Sequence, residues 1–264
     1  MKFGLIDGIK SVATKGAKGY CPSCGAELIA RCGDIKMNHW AHKGKRMCDV
    51  WWENETEWHR TWKNNFPIEW QEIIHFDEKT GEKHIADTKT TEGWVLEFQH
   101  SPIKPEEIQS RNNFYKKIIW VIDGVRRNRD KKQLDKTIEH AYSFETNNFL
   151  FYKINFPEFS RLLTEWLNCG KPVFLDFNED LMQLVLPIRT KNEVYMTPID
   201  REVFIDLITI NQFEELLNTI YKELKEYQVF IQKKIQESNN KQYQINMNKI
   251  IMSYRRRHFN KRRL

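Results

Sequence analysis

Residues 68–101 read IEWQEIIHFDEKTGEKHIADTKTTEGWVLEFQHS, and this stretch decides the fold. Three short runs in it are rich in β-branched and aromatic residues, at 68–76, 83–90 and 94–101. The polar segments DEKTGE and TTEG separate these runs and are typical of turns. The stretch therefore predicts three β-strands that follow one another as a meander.

Helical patterns lie on either side of these strands. Residues 52–66 place tryptophans near helical spacing, and Pro67 ends the pattern. Downstream, Pro105 marks the start of a second helix, and the apolar run KIIWVID at 117–123 predicts a strand that is buried on both faces. The predicted order is helix, three strands, helix, strand.

Two acidic residues on the predicted strands form a candidate metal site. Asp87 lies in the second strand, and Glu97 and Gln99 share one face of the third, because side chains two residues apart on a strand point the same way. If the strands are adjacent, the two carboxylates converge and repel each other unless a cation lies between them. Mg²⁺ prefers such carboxylates together with waters and phosphate oxygens, and it activates water for hydrolysis. The alternative is that both carboxylates are exposed on a half-buried sheet.

The N-terminal region contains a candidate zinc site. Cys21 and Cys24 are separated by two residues, and Gly25 lets the chain turn back so that both sulfurs face one ion. His39 and His42 follow at a spacing that suits the other two ligands of a tetrahedral Zn²⁺ site. Because four protein ligands leave no open position, we expect the zinc to be structural.

The other cysteines leave alternatives open. Cys48 is a candidate to replace one of the histidine ligands, and Cys32 is spare. Alternatively, the cysteines are reduced core residues and the histidines are incidental. Five cysteines are an odd number, and four of them crowd together beside histidines, which favours a metal over disulfides and indicates a reducing compartment.

Basic residues concentrate near the end of the sequence. The formal net charge is +6, and residues 253–264 contain no acidic residue. The six basic residues of this segment are Arg255, Arg256, Arg257, Lys261, Arg262 and Arg263. Such a segment suits contact with a phosphate backbone, and the alternatives are a solvated tail or the end of a helix.

The composition is that of a chain that folds in water. The 264 residues are 40% hydrophobic, which is enough to fill a core. No run approaches the roughly 18 apolar residues of a membrane span, and the first residues lack the pattern of a signal peptide. We therefore expect a soluble, cytoplasmic protein that does not associate with membranes.

Several separate motifs make the chain resemble the CoiA-like competence proteins, whose nuclease core is of the PD-(D/E)XK type. The resemblance covers roughly residues 1–125. The motifs are Cys21-x-x-Cys24-Gly25, Gly33 before His39-Trp-Ala-His42, Glu55-Thr-Glu-Trp-His59 with Lys63, Ala86-Asp87, Glu97-Phe-Gln99-His-Ser101, Arg111 with Tyr115, and IIWVID.

This resemblance implies roles for individual residues. Asp87 and Glu97 would hold Mg²⁺ or Mn²⁺, and Gln99 would occupy the position that a lysine usually holds. Glu55 and His59 are four residues apart and therefore share one helix face, so both are able to point at the same site. Glu55 would assist the metal or its water. His59 would either belong to the site or be a helix-surface residue lying against Trp58 and Trp62. The resemblance also implies that Arg111 contacts a phosphate or a carboxylate.

The neutral Gln99 is a departure from the wider class of nucleases. A lysine at this position stabilises the attacking hydroxide and the developing charge, whereas an amide only orients water. Lys89 is the nearest candidate for this role, because it shares a strand face with Asp87. The alternative is that Lys89 is an ordinary exposed lysine on a strand.

These observations predict an α/β protein with a mixed sheet flanked by helices, in a restriction-endonuclease-like αβββαβ core. We expect a zinc module at 1–50, the nuclease core at 51–145 and an α+β region with the basic tail at 146–264. The function would be metal-dependent DNA hydrolysis in DNA uptake, recombination or DNA defence, with DNA and the proteins of uptake or recombination as partners. The alternatives are a DNA-binding module with weak or no catalysis, and an interaction protein built on zinc.

Overall fold

The structure is a computed structural model of the 264-residue chain. The backbone is described for residues 1–33, 37–44, 51, 55–77, 81, 83–190 and 193–260. Within these ranges, the side chains of residues 189–190, 251 and 253–260 are not described. The chain divides into two compact units, of which the first comprises residues 1–145 and 149–213 and the second residues 146–148 and 214–264.

The first unit begins with an antiparallel half-barrel of five strands in the order β2-β1-β3-β4-β5. The strands are β1 (Phe3–Ile6), β2 (Ile9–Val12), β3 (Lys18–Tyr20), β4 (Glu27–Arg31) and β5 (His39–His42). Its small core contains Trp40 and Leu28. Gly19 is required at this point, because a Cβ there would lie 2.8 Å from the carbonyl oxygen of Leu5 and 3.2 Å from the Trp40 ring.

The rest of the first unit is built on a nine-stranded mixed sheet in the order β10-β11-β14-β13-β12-β9-β8-β7-β6. Strands β8, β9 and β12 are parallel to one another, and the other neighbours are antiparallel. The strands are β6 (Gln71–Phe76), β7 (Lys83–Lys89), β8 (Val95–Gln99), β9 (Ile118–Asp123), β10 (Tyr142–Glu145), β11 (Leu150–Ile154), β12 (Val173–Asp176), β13 (Leu181–Thr190) and β14 (Glu193–Asp200). The α-helices within the described residues are α1 (Glu57–Asn64), α2 (Pro105–Phe114), α3 (Asp130–Glu139), α4 (Arg161–Trp166), α5 (Arg201–Thr209) and α6 (Phe213–Asn260).

The mixed sheet has helices on both faces, as predicted. Trp62 of α1 stacks on Phe98 of β8, with the ring centroids 5.6 Å apart. On the other face, the amide oxygen of Asn112 in α2 accepts a hydrogen bond from the Trp120 indole at 2.9 Å. Trp120 is paired in register with Glu97, and neighbouring residues on a strand point to opposite faces. The face that carries Glu97 is therefore covered by α2, and the face that carries Phe98 by α1.

The predicted order of helix, three strands, helix and strand is confirmed, although two starting points differ. Helix α1 begins at Glu57, because the Thr56 side chain accepts a hydrogen bond from the His59 N–H and caps the helix. Strand β6 begins at Gln71, because residues 68–70 after Pro67 form a turn of 3-10 helix. Residues 52–54 of the predicted helix lie outside the described residues.

The prediction for residues 117–123 is confirmed. All six residues of β9 are buried, and β9 lies between its parallel neighbours β8 and β12. An apolar run of this kind is expected when both faces of a parallel strand are covered.

The described part of the region after residue 145 contributes four strands, β11 to β14, to the same sheet. Strands β11 to β14 pair with one another and, through β12, with β9. The boundary predicted near residue 145 therefore falls inside the sheet of the first unit. The second unit contains most of α6, whose backbone is helical up to Asn260. The predicted phosphate contacts Arg255, Arg256 and Arg257 are part of this helix, whereas Lys261, Arg262 and Arg263 lie outside the described residues.

None of the described helices combines the length and the apolar character that crossing a bilayer demands.

Candidate metal and active sites

The turn after β3 has the geometry of a metal-binding knuckle. The Cys21 N–H donates to the carbonyl of Ala26 at 2.8 Å, and the Gly25 N–H donates to the carbonyl of Cys21 at 2.9 Å. Gly25 has a φ angle of +72°, in the left-handed region that favours glycine. Gly25 therefore reverses the direction of the chain after Cys24, as predicted.

Three of the predicted zinc ligands come together at this turn. The ligand atoms of Cys21, Cys24 and His42 all lie within 4.8 Å of one another. The Cys24 Sγ and the His42 Nε2 are 3.4 Å apart. Two thiols and an imidazole are a donor set that suits Zn²⁺, so the residues fit a metal such as zinc.

The structure does not bring His39 into this group. His39 and His42 are three positions apart on β5, and an odd separation on a strand directs side chains to opposite faces. The Nδ1 of His39 lies 2.9 Å from the carbonyl oxygen of Met37. Cys32 contacts the carbonyl of Ala13 at 3.6 Å. The alternative ligand Cys48 lies outside the described residues.

The second predicted site begins with Asp87 on β7, next to the strand that carries Glu97. The paired residues of these strands are Lys89 with Val95 and Thr88 with Leu96. Beyond these pairs, the Asp87 carboxylate accepts a hydrogen bond from the backbone N–H of Phe98 at 3.0 Å. The adjacency of the two strands, on which the predicted pair of carboxylates depends, is thus confirmed.

Glu97 is held by an arginine from the helix above it. The Glu97 carboxylate is buried and accepts a hydrogen bond from Arg111 at 2.8 Å. Arg111 also donates to Glu107 and to the carbonyl of Trp51. Burial by itself lowers the pKa of Arg111, but the charges of Glu97 and Glu107 outweigh it and raise that pKa above its usual value. The resemblance implies that Arg111 contacts either a phosphate or a carboxylate, and in the structure it contacts the Glu97 carboxylate.

Glu55 lies just before α1 and is bound by two cations. Its carboxylate oxygens lie 2.6 Å from Lys63 and 2.6 Å from Arg60. Burial alone would raise the pKa of Glu55, but the charge of Lys63 and the hydrogen bonds from both cations lower it to about 2. Glu55 is therefore ionised at neutral pH.

Lys63 connects Glu55 to the strands. Its side chain is 3% exposed, and its ammonium lies 2.6 Å from Glu55, 3.1 Å from Glu72 and 3.8 Å from Asp87. Burial lowers the pKa of Lys63, but the three carboxylates outweigh this effect and raise it above the ordinary value. Lys63 is thus a permanently charged cation inside an acidic cluster.

Glu72 joins this cluster to the half-barrel. Its carboxylate accepts the backbone N–H groups of Lys2 at 2.8 Å and Phe3 at 3.1 Å. Burial would raise the pKa of Glu72, but the nearby Lys63 charge contributes to lowering it. One buried carboxylate therefore ties the N-terminal strand to α1.

The structure places His59 in a helix cap. Its Nδ1 lies 3.2 Å from the Thr56 backbone nitrogen and 2.8 Å from the Thr56 hydroxyl, which completes a capping box. The ring is buried, and its centroid is 6.1 Å from that of His100. The local geometry thus gives His59 a structural contact at the start of α1.

The two candidates for the usual lysine position differ in their surroundings. The buried Gln99 donates from its amide to the carbonyl of Ser101 at 2.9 Å. The Lys89 ammonium lies 3.1 Å from the Nδ1 of His75. The lysine that forms an ion pair with Asp87 is instead Lys63.

Lys63 belongs to the helix motif that begins at Glu55, but the motif by itself predicts no role for it. The sequence does indicate that Lys63 lies near Glu55 and His59, because the three residues are spaced four apart and so share one side of a helix. The pairing with Asp87 was not predictable in this way, since it depends on how α1 docks on the sheet.

Within the ranges covered by the structure, Cys21, Cys24 and His42 form a group of three side chains that could hold a metal ion, whereas Asp87 and Glu97 belong to no group of three or more. Two carboxylates are a sufficient set of protein ligands for Mg²⁺, because this ion keeps several waters and takes phosphate oxygens from its substrate.

Comparison with known proteins gives two matches to family models. Residues 8–51 match the N-terminal domain of competence protein CoiA, and residues 84–165 match the nuclease-like domain of the same family. The first match includes the Cys21, Cys24 and His42 group, and the second includes Asp87 and Glu97. No curated protein and no solved structure matches the chain.

Proposed function

Because the chain belongs to the CoiA-like competence protein family, we propose that it is a metal-dependent nuclease that hydrolyses DNA. Its role would lie in DNA uptake and recombination or in DNA defence. The chemistry assigned to it is hydrolysis of a phosphodiester bond at Asp87 and Glu97.

The observation that carries this proposal is the pair of carboxylates on neighbouring strands, each beside a buried cation. Lys63 reaches Asp87 from α1, and Arg111 reaches Glu97 from α2. A cation beside each carboxylate favours its ionised form, which is the form that binds a metal. Asp87 and Glu97 would hold Mg²⁺ or Mn²⁺, and the bound ion would polarise the phosphate and activate a water.

Lys63 takes the charge-stabilising role in this proposal. Its ammonium is buried and lies 3.8 Å from Asp87, whereas Lys89 lies beside His75 and Gln99 is neutral. A preorganised positive charge in a buried site stabilises charge that develops in the transition state more than it would in water. Glu55 would act as a positioning residue that keeps the Lys63 ammonium in place.

Arg111 is proposed to position Glu97 rather than to bind DNA directly. Its guanidinium is 7% exposed and already donates to Glu97. A carboxylate with a fixed hydrogen bond on one oxygen keeps its second oxygen oriented, as supporting contacts do for metal ligands.

The Cys21, Cys24 and His42 group is proposed to hold a structural zinc ion. The half-barrel around it has a small core, and a bound metal contributes folding free energy to such a module. The basic segment at 253–264 is proposed to add a phosphate contact, since six basic residues without an acidic one would release counterions on binding DNA.

One observation favours a second candidate, a DNA-binding module that does not cleave. Gln99 is neutral where the wider class has a lysine, and a neutral amide cannot stabilise developing charge as an ammonium does. In that case Asp87 and Glu97, with their partners Lys63 and Arg111, would stabilise the fold and take no part in catalysis.

A cleavage assay with Mg²⁺ or Mn²⁺ on single-stranded and duplex DNA tests both candidates. Asp87→Asn and Glu97→Gln each remove one charged ligand with little change in shape, so cleavage should fall by orders of magnitude while DNA binding remains. Glu92→Gln, at an exposed turn before β8, is the matched control and should cleave normally. DNA binding without cleavage in the wild type supports the second candidate, and normal cleavage in both site variants excludes the first.

A further inference from the structure

A cleft lined by arginines lies directly after β9. Its volume is about 460 Å³, and its walls include Arg126, Arg127, Arg129 and Arg161. Arg127 is 23% exposed and Arg161 is 68% exposed, so both guanidinium groups are accessible from solvent. The cleft belongs to the first unit and is separate from the cluster around Lys63.

The arginines outnumber the acidic residues that pair with them. Glu165 accepts from Arg126 at 2.7 Å, from Arg127 at 2.7 Å and from Arg161 at 3.1 Å. Arg127 also pairs with Asp130 at 2.7 Å. These four arginines, counting Arg129, outnumber their two acidic partners, Glu165 and Asp130, by two charges.

Arg126 adds a second sign that the cleft has capacity for a ligand. Its side chain is 5% exposed, yet its Nε has no hydrogen-bond partner among the side chains and backbone that the structure describes. A buried N–H without a partner costs free energy, which an incoming acceptor would recover.

The same arginine links the cleft to the proposed active site. Arg126 donates to the carbonyl of His100 at 3.0 Å and to that of Ser101 at 2.8 Å. The amide of Gln99 donates to the same Ser101 carbonyl. The cleft therefore adjoins the loop that follows Glu97 and Gln99 at the end of β8.

A groove with two exposed aromatic rings continues from the cleft. Its volume is about 590 Å³, and Gln133 lines both cavities. Phe156 and Phe159 also line the groove, are 58% and 66% exposed, and have ring centroids 6.0 Å apart. Large apolar side chains are rarely left this open without a ligand when they occur as a patch.

We propose that the arginine cleft and the Phe156–Phe159 groove together bind single-stranded DNA. The backbone phosphates lie on the arginines and unpaired bases stack on the phenylalanines, which is the combination that recognises single strands without sequence preference. The bases of a duplex are already stacked on one another, so they are not available to these rings. The inference rests on the proposed function in one respect, which is that the bound strand is the substrate of the site at Asp87 and Glu97.

The test measures binding without cleavage. A short fluorescent single-stranded oligonucleotide and the corresponding duplex are titrated with the full chain by fluorescence anisotropy, at several salt concentrations and with no divalent cation added. The variants are Phe159→Ala and Arg161→Ala, and both side chains are exposed enough for the fold to tolerate the change. Phe76→Ala in β6 and Arg31→Ala in β4 change an exposed phenylalanine and an exposed arginine that do not line the cleft or the groove, and they serve as matched controls.

The wild type should bind the single strand more tightly than the duplex. Phe159→Ala should weaken binding by at least about fivefold, the lower end for loss of one stacked base. Arg161→Ala should reduce the slope of log affinity against log salt by about 0.7, the value for one phosphate contact with a single strand. The controls should match the wild type.

Three outcomes overturn the inference: equal affinities in both variants and the wild type, tighter binding to the duplex, or complete displacement of the oligonucleotide by millimolar inorganic phosphate. The last result would indicate an isolated anion site. Because no metal is added, these outcomes are independent of cleavage. Failure of Asp87→Asn to reduce cleavage would remove the nuclease while leaving the single-strand site standing.

Discussion

The Lys63 ammonium lies 3.8 Å from Oδ1 of Asp87, although one residue belongs to α1 and the other to β7. This contact places a buried positive charge beside a proposed metal ligand. It also explains how an acidic cluster is tolerated in the interior, since buried carboxylates are costly unless they are paired.

Replacement of Lys63 tests both consequences. Lys63→Met leaves Glu55, Glu72 and Asp87 without their shared cation, so we expect a loss of about 3–5 kcal/mol in the free energy of unfolding. Lys63→Arg keeps the charge and should lose less. Chemical denaturation measures both changes, and cleavage by the arginine variant reports the catalytic role in a folded protein. Wild-type stability of the methionine variant would contradict the ion-pair network.

Glu55 predicts how stability changes with pH. Its pKa is lowered from 4.5 to about 2 in the folded protein, so its contribution to stability is present above the unfolded value and is lost as the pH falls toward 2. The contribution is on the order of 3 kcal/mol, from the size of the shift. Thermal or denaturant unfolding of the wild type should show a steeper loss of stability between about pH 5 and 3 than Glu55→Gln.

The control for this measurement is Glu92→Gln, which neutralises an exposed glutamate and should keep the wild-type pH dependence. Parallel pH curves for the wild type and Glu55→Gln would show that Lys63 and Arg60 do not lower the pKa of Glu55.

Arg111 distinguishes a structural partner of Glu97 from a DNA contact. Arg111→Met leaves the Glu97 carboxylate buried without this donor, and we expect it to lower the free energy of unfolding by about 3–5 kcal/mol. Arg111→Lys retains the charge but cannot donate to Glu97, Glu107 and the Trp51 carbonyl from one planar group. Unfolding and DNA-binding measurements on the lysine variant should show lower stability with an unchanged salt dependence. A flatter salt dependence at full stability would instead assign Arg111 to phosphate.

Parts of the fold follow from local sequence, and the confirmed strands show why. Residues 118–122 are all apolar, because both faces of β9 are covered and each of these side chains is buried. Short strands bounded by turn residues, such as 83–89, are similarly visible. In contrast, the joining of β12 to β9 depends on pairing between distant segments, and no local pattern records it.

In the candidate sites, too, local features follow from the sequence, whereas contacts between distant segments do not. The Cys21-x-x-Cys24 knuckle was predictable because its geometry is local to a turn. Spacing alone predicts His39 as a ligand, although the alternation of side chains along β5 separates it from His42. The role of Lys63 depends on the docking of α1 and was not visible in its neighbours along the chain.

Metal analysis distinguishes these zinc ligands. Purified wild-type protein should contain about one zinc ion per chain, and Cys24→Ser or His42→Asn should lower both zinc content and stability because loss of a structural ion removes folding free energy. Cys32→Ser and His39→Asn are matched controls outside the group and should retain the metal. Loss of zinc from His39→Asn would restore the ligand set predicted from spacing. Folded wild-type protein without zinc would remove the metal altogether.

Substitutions at Gln99 and Lys89 test which residue stabilises the charge that develops during cleavage. Gln99→Lys introduces an ammonium at the position that a lysine usually holds, so the variant should cleave DNA at least as fast as the wild type. If Lys63 carries the role at present, Gln99→Lys should also restore part of the activity that Lys63→Arg loses through altered geometry. Lys89→Ala should cleave normally, because the Lys89 ammonium lies beside His75. Rates of cleavage at saturating DNA measure all three, with anisotropy to verify that binding is intact. A strong loss in Lys89→Ala together with normal cleavage in Lys63→Arg would transfer the role to Lys89.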